Sequence, residues 1–464
     1  MIRRAIPQAV IIVALMATLS GGGCAAQNAV SRGLAPESSL AVLESRTLKS
    51  PALLKFIADR SGRTPGPWDA ESLAWAGFYY HPALDAARAR AAAAETAASA
   101  ATDLPNPSLG LTLGRNATSG IPSPWINSLQ LDLPLETTGR RRNHAARAEH
   151  ISTAARLNLA SVAWQVRGGI HRAWANFFAA RGIAGLLREQ AALREEALRF
   201  EEARLAAGDA ASREVTASRL ALRASRLASA DAARAASEAR IRLAEAIGVP
   251  DSALEEAVFS NEAYERFPEA PPALETRRQA LLNRADLLAA LAEYAAAHAA
   301  LELELAKQFP ELRLGPGYAY DQGENKWSLG FTLTLPVFDR NRGPIAEAHA
   351  RREEAAAAFT MRQASVLADV DRAMAGWRAA MQRRAELSLM TADIARLEST
   401  ARARFAAGDI PKSELVTALL QTNAAALARH EVMAQIQRAV GDLESALQVP
   451  SNLPDAAWRT APIR

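Results

Sequence analysis

The chain has a single cysteine in 464 residues, so no internal disulfide can brace it. Histidine is scarce too: there are seven, and none is spaced with another histidine or with Cys24 as a metal-ligand set would be. The seven methionines do not cluster, so no soft-metal relay is written in the chain. Aromatic residues make up only 6%, a composition that suits long helices better than a compact globular core. The formal charge is +4 with bases and acids interleaved, which leaves no basic stripe for nucleic acid. The first apolar run, Ala5 to Leu19, is about 15 residues and too short to cross a bilayer as a helix. "GPGYAY" (315–320) has no helix after it and is no phosphate loop. No nucleophile elbow and no paired-carboxylate pocket stands out. These absences speak against an enzyme, and no cofactor or metal is expected.

What is present begins with a targeting segment. Met1-Ile-Arg-Arg is a short basic head, the apolar run follows, and "LSGGGC" closes it, so residues 1–23 read as a signal peptide. The small residues before Cys24 resemble a bacterial lipobox, in which the cysteine becomes the lipidated first residue. Gly21 stands where leucine is usual, and ordinary cleavage leaving a free Cys24 is the alternative. Ala25, rather than aspartate, follows the cysteine, which suits outer-membrane sorting. One acyl chain is a weak anchor and would assist a membrane-embedded body rather than replace it. Residues 24–67 are then a lipidated N-terminal segment.

The remainder reads as one unit written twice. With a shift of about 200 residues, "LDLPLETTGRRRN" falls on "LTLPVFDRNRGP", "RLAAGDAASREV" on "RFAAGDIPKSEL", and "LAEAIGVP" on "LESALQVP". Each unit predicts a helix (about 82–103, then 284–309), two alternating segments, a helix of some 65 residues (about 140–206, then 343–406), a Gly-Asp break, and a closing helix (about 211–247, then 411–447). The repeats are placed at 68–247 and 276–450, with a proline-rich acidic linker at 248–275 and an irregular tail at 451–464. At 1.5 Å per residue the longest helix spans about 100 Å, so the molecule is elongated. Helices of that length need lateral partners.

The alternating segments, about 108–115, 126–135, 311–320 and 327–337, carry the period-two pattern of strands and the length of membrane β-strands. They form two hairpins, with "NATSGIPSP" and "DQGENK" as loops. Trp125 and Trp327 are candidates for an aromatic girdle, and Pro134 and Pro336 for the bend from sheet to helix. Gln130, Asp132, Ser328, Thr332 and Thr334 fall on the polar side and are the candidate lumen-lining residues. Four strands cannot close a barrel, and lipid does not tolerate an open sheet edge, so other copies must supply the missing strands. Two copies give eight strands and three give twelve. A small soluble hairpin domain is the competing reading.

This layout resembles the TolC-type outer-membrane efflux factors over about residues 68–450. The resemblance rests on the duplicated helix–hairpin–helix plan, "PNP" (105–107) before the first strand, the "LP" strand ends and the two tip motifs. The lipid-bearing N-terminus and "WDAESLAWAGFYYHPAL" look more like the metal- and drug-exporting branches, although His81 stands where asparagine is common. The fold class it implies is mainly α with a membrane β part: two tandem helix–β-hairpin–helix repeats, trimerised into a 12-stranded β-barrel continuous with a 12-helix α-barrel. The resemblance implies a homotrimer in the outer membrane, docked on a periplasmic adaptor and an inner-membrane pump of the resistance-nodulation-division type. Metal cation, drug and secreted polypeptide all stay open as cargo. A periplasmic structural coiled coil without a pore is the alternative function.

At the far helical end, Gly208-Asp209 and Gly408-Asp409 break the helices, with adaptor contact and plain helix capping as the two readings. Glu214 and Glu414 follow each glycine by six residues, as in the family. In a threefold tube they would form acidic rings that gate the pore and favour cations. Thr417 occupies the family's second acidic position at this constriction, so the ring would carry fewer charges. Solvated first-turn glutamates are the alternative. Arg140, Arg141, Arg142, Arg340 and Arg342 are placed either near lipid headgroups or as solvated first-turn residues.

Overall fold

The computed structural model describes residues 33, 35–62, 66–120, 123–135, 139–268, 278, 281–335 and 337–449. Residues 1–23, Cys24, Pro336 and the tail 451–464 lie outside the described residues. Helix α1 (Pro36–Glu44) belongs to a unit of its own that ends at Ser45; everything below concerns the second unit, from Arg46 on.

Two rods dominate that unit. Helix α5 (Arg140–Ala207) has 68 residues and α10 (Arg342–Ala406) has 65, each about 100 Å long. Alanine, arginine, glutamate and leucine fill both, and these are the residues that lose least on entering a helix. Above the middle of the molecule, α4 (Pro82–Ala100) lies against α5, and α9 (Ala285–Ala306) lies between α5 and α10. Below it, α6 (Ser212–Ile247) and α11 (Lys412–Leu447) take the same two places. The lateral order is therefore α4 or α6, α5, α9 or α11, α10.

The strands keep that order. β1 (Ser108–Arg115), β2 (Trp125–Leu135), β3 (Glu311–Asp321) and β4 (Glu324–Thr334) form one antiparallel sheet in the sequence β1-β2-β3-β4. The two hairpins are joined through β2 and β3, where Leu129 faces Tyr318 and Leu133 faces Leu314. Their pairing lapses around Pro316, which has no N–H to give. Pro134 lies within β2, opposite Arg313, so the strand runs one residue past it. The second hairpin is tighter than the sequence suggests. Asp321 pairs with Glu324 around a two-residue turn, Gln322-Gly323, with φ of 53° and 112°. That is the positive-φ geometry that matches strand twist. β4 thus begins three residues before Trp327 and ends at Thr334.

A belt wraps one face of the rods. α2 (Pro51–Ser61), α3 (Ala70–Tyr80), α7 (Ser252–Glu255) and α8 (Asn261–Glu265) close on an aromatic core. Trp174, Phe177 and Phe178 of α5 meet Phe259 and Tyr264 there, the Phe178 and Tyr264 rings stacking at 4.8 Å. The segment then crosses α11, where Gln437 donates to the Tyr264 and Arg266 carbonyls, and reaches α10, where Arg384 covers the Phe267 ring at 4.6 Å.

The seam between the repeats, α5 against α11, is polar and close. Arg167 donates to Glu444 at 3.1 Å with side chains only 8% and 6% exposed. His171 of α5 presses on Gly441 of α11, where an added Cβ would fall 2.5 Å from its Nδ1. The contact is answered lower down: His430 of α11 presses in the same way on Gly182 of α5. Each helix lends a histidine knob to a glycine hole of its neighbour, so only glycine fits at either hole.

Two stability consequences follow from this seam. Glu444→Gln leaves the Arg167 charge buried and should cost about 3 kcal/mol or more, whereas replacing both partners with methionine should cost far less; thermal unfolding of the four species in a double-mutant cycle checks this. The second concerns pH. Burial, opposed by Glu444 and Asp442 and assisted by Arg167 and Arg172, holds His171 below its ordinary 6.5. His430 is lowered in turn by burial and Arg429, against Glu265. The unfolded chain therefore takes up protons first, and the stabilisation present at neutral pH should be lost as pH falls below about 6.5. His171→Asn should flatten that limb of the unfolding profile.

Candidate functional site

The register sorts the sheet into two chemistries. Ser108, Thr112, Ser128, Gln130 and Asp132 lie on one face with Glu311, Arg313, Ser328, Thr332 and Thr334, and glycines 110, 114, 315, 317 and 330 fill the rest of its middle. The other face carries Leu109, Leu111 and Leu113, then Leu129, Leu131, Leu133 and Leu135, then Leu312, Leu314, Tyr318 and Tyr320, then Trp327, Leu329, Phe331 and Leu333. The five residues singled out by alternation (Gln130, Asp132, Ser328, Thr332, Thr334) all sit on the polar face. A strip of apolar side chains this long, with Trp327 at 81% and Phe331 at 65% exposure, is costly in water and suited to lipid. Both tryptophans proposed for the girdle are on the apolar face near the hairpin ends. Tyr318 packs on Trp327 at 4.9 Å, and Arg115 lies 6.0 Å above the Trp125 ring.

The polar face also holds charges that a reading of the leucines and tyrosines of β3 passes over. Arg313 bridges Asp132 at 3.0 Å and Glu311 at 3.1 Å, and Lys326 bridges Asp321 at 2.6 Å. The same period-two rule would have found them, because Glu311 and Arg313 occupy the alternate positions of β3. Glycine beneath these pairs keeps that face thin; a Cβ at Gly317 would meet the Ser328 hydroxyl at 2.8 Å. A sheet whose one face is glycine-rich can curl toward it.

The strand-to-helix junction is tied by side chains. Arg140 donates to the Phe309 carbonyl at 2.8 Å and reaches Glu311 at 3.4 Å. Asn341, at the head of α10, donates to the Glu304 carbonyl at 2.8 Å and its carboxylate at 2.9 Å. Arg140 is thus a clamp on the end of α9 rather than a free first-turn cation. Glu304 is held below the usual carboxylate range against the opposing effect of burial, chiefly by Lys307 and Asn341.

At the opposite end the two tips are built alike. Gly208 and Gly408 adopt φ of 85° and 81°, which favours glycine, and each lets the next amide close on the carbonyl five residues back: Asp209 on Arg204, Asp409 on Arg404, both at 2.9 Å. Glu214 and Glu414 lie in the first turns of α6 and α11. Glu214 accepts from the Ala211 amide at 3.4 Å and stands 4.0 Å from Arg204; Glu414 is 3.3 Å from Arg404. Thr417 is exposed one turn on, its hydroxyl donating to the Ser413 carbonyl at 2.9 Å. Sequence reasoning missed these arginines, which sit four residues before each glycine and put a cation behind each acid. Half-exposed pairs of this kind are weak and break readily.

The outer membrane efflux protein family model matches residues 80–249 and 276–448, one match per repeat. The cobalt-zinc-cadmium resistance protein CzcC of Cupriavidus metallidurans is 25% identical over 231 residues, 49% of this chain and 54% of that protein, so the match spans about half of the relative's length. Among solved structures, the open state of the Neisseria gonorrhoeae MtrE outer membrane channel aligns with a TM-score of 0.68 at 20% identity, covering 82% of this chain and 89% of that one. The outer membrane protein VceC from Vibrio cholerae aligns at 0.65 and 17%, covering 82% and 96%. With the family model spanning both repeats and the same fold in these channels, the chain belongs to the outer membrane efflux protein family.

Proposed function

We propose that this chain is the outer-membrane duct of a tripartite efflux assembly, in which three copies close a passive, water-filled path fed by a periplasmic adaptor and an inner-membrane pump of the resistance-nodulation-division type. The reading is carried by one observation: a four-stranded sheet with one lipid-like face, one polar face and two open edges, β1 and β4. Unpaired edges are not tolerated in lipid, so further copies must close the wall. Eight strands would fill their own interior, whereas twelve leave a lumen. The helical edges support the same closure. α6 exposes Leu220, Leu227 and Ile241, multiples of seven residues apart, and α10 exposes Met361, Leu367, Leu389 and Leu397. A heptad stripe of this kind seeks a second helix.

In the closed wall the polar sheet face with Gln130, Asp132, Ser328, Thr332 and Thr334 lines the lumen and keeps it wetted. Glu414, with Thr417 beside it, and Glu214 form the periplasmic constriction, each acid restrained by Arg404 or Arg204 while shut. Exchange of those partners on docking would free negative charge at the mouth. Gly208-Asp209 and Gly408-Asp409 present the adaptor with exposed turns. Likeness to a cobalt-zinc-cadmium resistance protein favours divalent cations among the cargoes. Cys24 anchors the N-terminus through lipid.

Two measurements test the reading. Purified full-length protein in detergent should have three times the mass of one chain, and Leu220→Glu with Leu227→Glu should shift it toward smaller species; a single, detergent-free soluble chain would sink the duct. In planar bilayers the protein should conduct, Glu414→Gln should lower its preference for cations, and Arg404→Gln should raise it. Unchanged selectivity in both variants would retire the acidic constriction.

A further inference from the structure

The two repeats make their strand-to-helix junctions alike, but only one junction is complete within a single chain. In the first, β2 ends at Leu135 and α5 begins at Arg140, after Gly139 with φ of 71°. In the second, β4 ends at Thr334 and α10 begins at Arg342, after Asn341 with φ of 57°. Arg140 and Arg342 are thus equivalent: each opens a long helix, directly behind a left-handed residue.

Their surroundings differ. Arg140 reaches the end of the next helix in the ribbon, α9, and donates to the carbonyls of Phe309 at 2.8 Å and of Ala306 and Lys307 at 3.4 Å. Arg342 is exposed and makes no side-chain hydrogen bond or ion pair among the described residues. It has no next helix to reach, because β4 and α10 are the last elements of the ribbon. The matching piece lies on the opposite flank. Aligned on Pro105 and Pro310, "ATDLPNPSLG" (101–110) follows α4 as "AKQFPELRLG" (306–315) follows α9. Ala101, Thr102 and Leu104 therefore stand where Ala306, Lys307 and Phe309 stand in the second repeat. Among the described residues the carbonyls of Thr102 and Leu104 accept no hydrogen bond, and the Leu104 side chain is 71% exposed.

When a further copy closes the wall, as the duct reading requires, its β1 pairs with β4 and its α4 comes beside α10. β1 runs away from the helices and β4 runs back to them, so the residues before Ser108 of that copy come alongside the residues after Thr334. β3 and α9 bear the same relation to β2 and α5 within one chain. We propose that Arg342 is an inter-subunit clamp, its guanidinium donating to the carbonyls of Ala101, Thr102 and Leu104 at the end of α4 in the neighbouring copy. A guanidinium carries five donors in a rigid fork, so one side chain can hold several carbonyls at once. Phe338, on the turn that leads to Arg342, is fully exposed in the single chain, which suits an unfilled contact at this level. The clamp rests on closure by copies of this chain, and neither flank contains the whole of it.

The test uses the full-length protein purified in non-ionic detergent. Arg342→Gln should shorten the lifetime of the multimer in dilute dodecyl sulfate by about tenfold or more, because charged hydrogen bonds are lost at every subunit contact, while helical content stays intact. Arg340→Gln removes the same charge two residues earlier and should leave that lifetime unchanged. Position is read separately: the photoreactive substitution Arg342→p-benzoylphenylalanine, on irradiation, should give a dimer-sized product whose cross-linked peptide contains residues 101–106. An unchanged lifetime in Arg342→Gln, an equal loss in Arg340→Gln, or a cross-link that maps elsewhere would each overturn the clamp. A multimer that forms and conducts in bilayers with Arg342 replaced at no loss of lifetime sinks the clamp alone, whereas a chain that stays single sinks the duct as well.

Discussion

The constraint from which the rest follows is that a β-strand in hydrocarbon must have every backbone N–H and C=O paired. β2 and β3 meet it inside one chain, by pairing with each other and with their hairpin partners. β1 and β4 meet it on one side only. The helices inherit the same order and the same two incomplete flanks, α4 and α6 on one side and α10 on the other. Sheet and helices are therefore one ribbon, four elements wide, whose chemistry on each face is set by strand alternation above and by helix periodicity below.

Holding that ribbon together asks different things of different joints. Within each repeat the long helix packs on its neighbour through alanine, valine and tryptophan, as in the cluster of Val370, Trp377, Ile436 and Val440. Between the repeats the joint is a buried ion pair and two reciprocal histidine–glycine contacts. A buried ion pair contributes little net stability, since desolvation offsets its attraction, but it penalises misalignment because an unmatched buried charge is costly. A seam of that kind holds register along two helices that alanine alone would let slide.

Much of the fold was legible because its signals are local. Alternation marks β1 from Ser108 to Arg115, and the composition of α5 and α10 marks them as uninterrupted rods. What was not legible is non-local or lies in turns. Arg167 and Glu444 are 277 positions apart, and nothing in either neighbourhood announces the other. The start of β4 was hidden because Glu324, Asn325 and Lys326 look like loop residues; the Gln322-Gly323 turn pulls them into the ladder. The candidate gate residues were picked out through the family resemblance of the tip motifs, but the arginines behind them belong to the preceding helix, on the other side of the turn.

The absence of any break in α5 has a mechanical consequence. A helix that runs unbroken for 68 residues from the edge of the sheet to Gly208 has no joint at which to absorb strain by local melting. Whatever pushes sideways on its lower end must be answered by leaning of the whole rod, and over about 100 Å a lean of a few degrees displaces the end by several ångström. Its fulcrum is the aromatic collar around Trp174, Phe178 and Tyr264, near mid-length. That rod is thereby a lever on its collar, and a lean that carries its lower end one way carries its upper end the other.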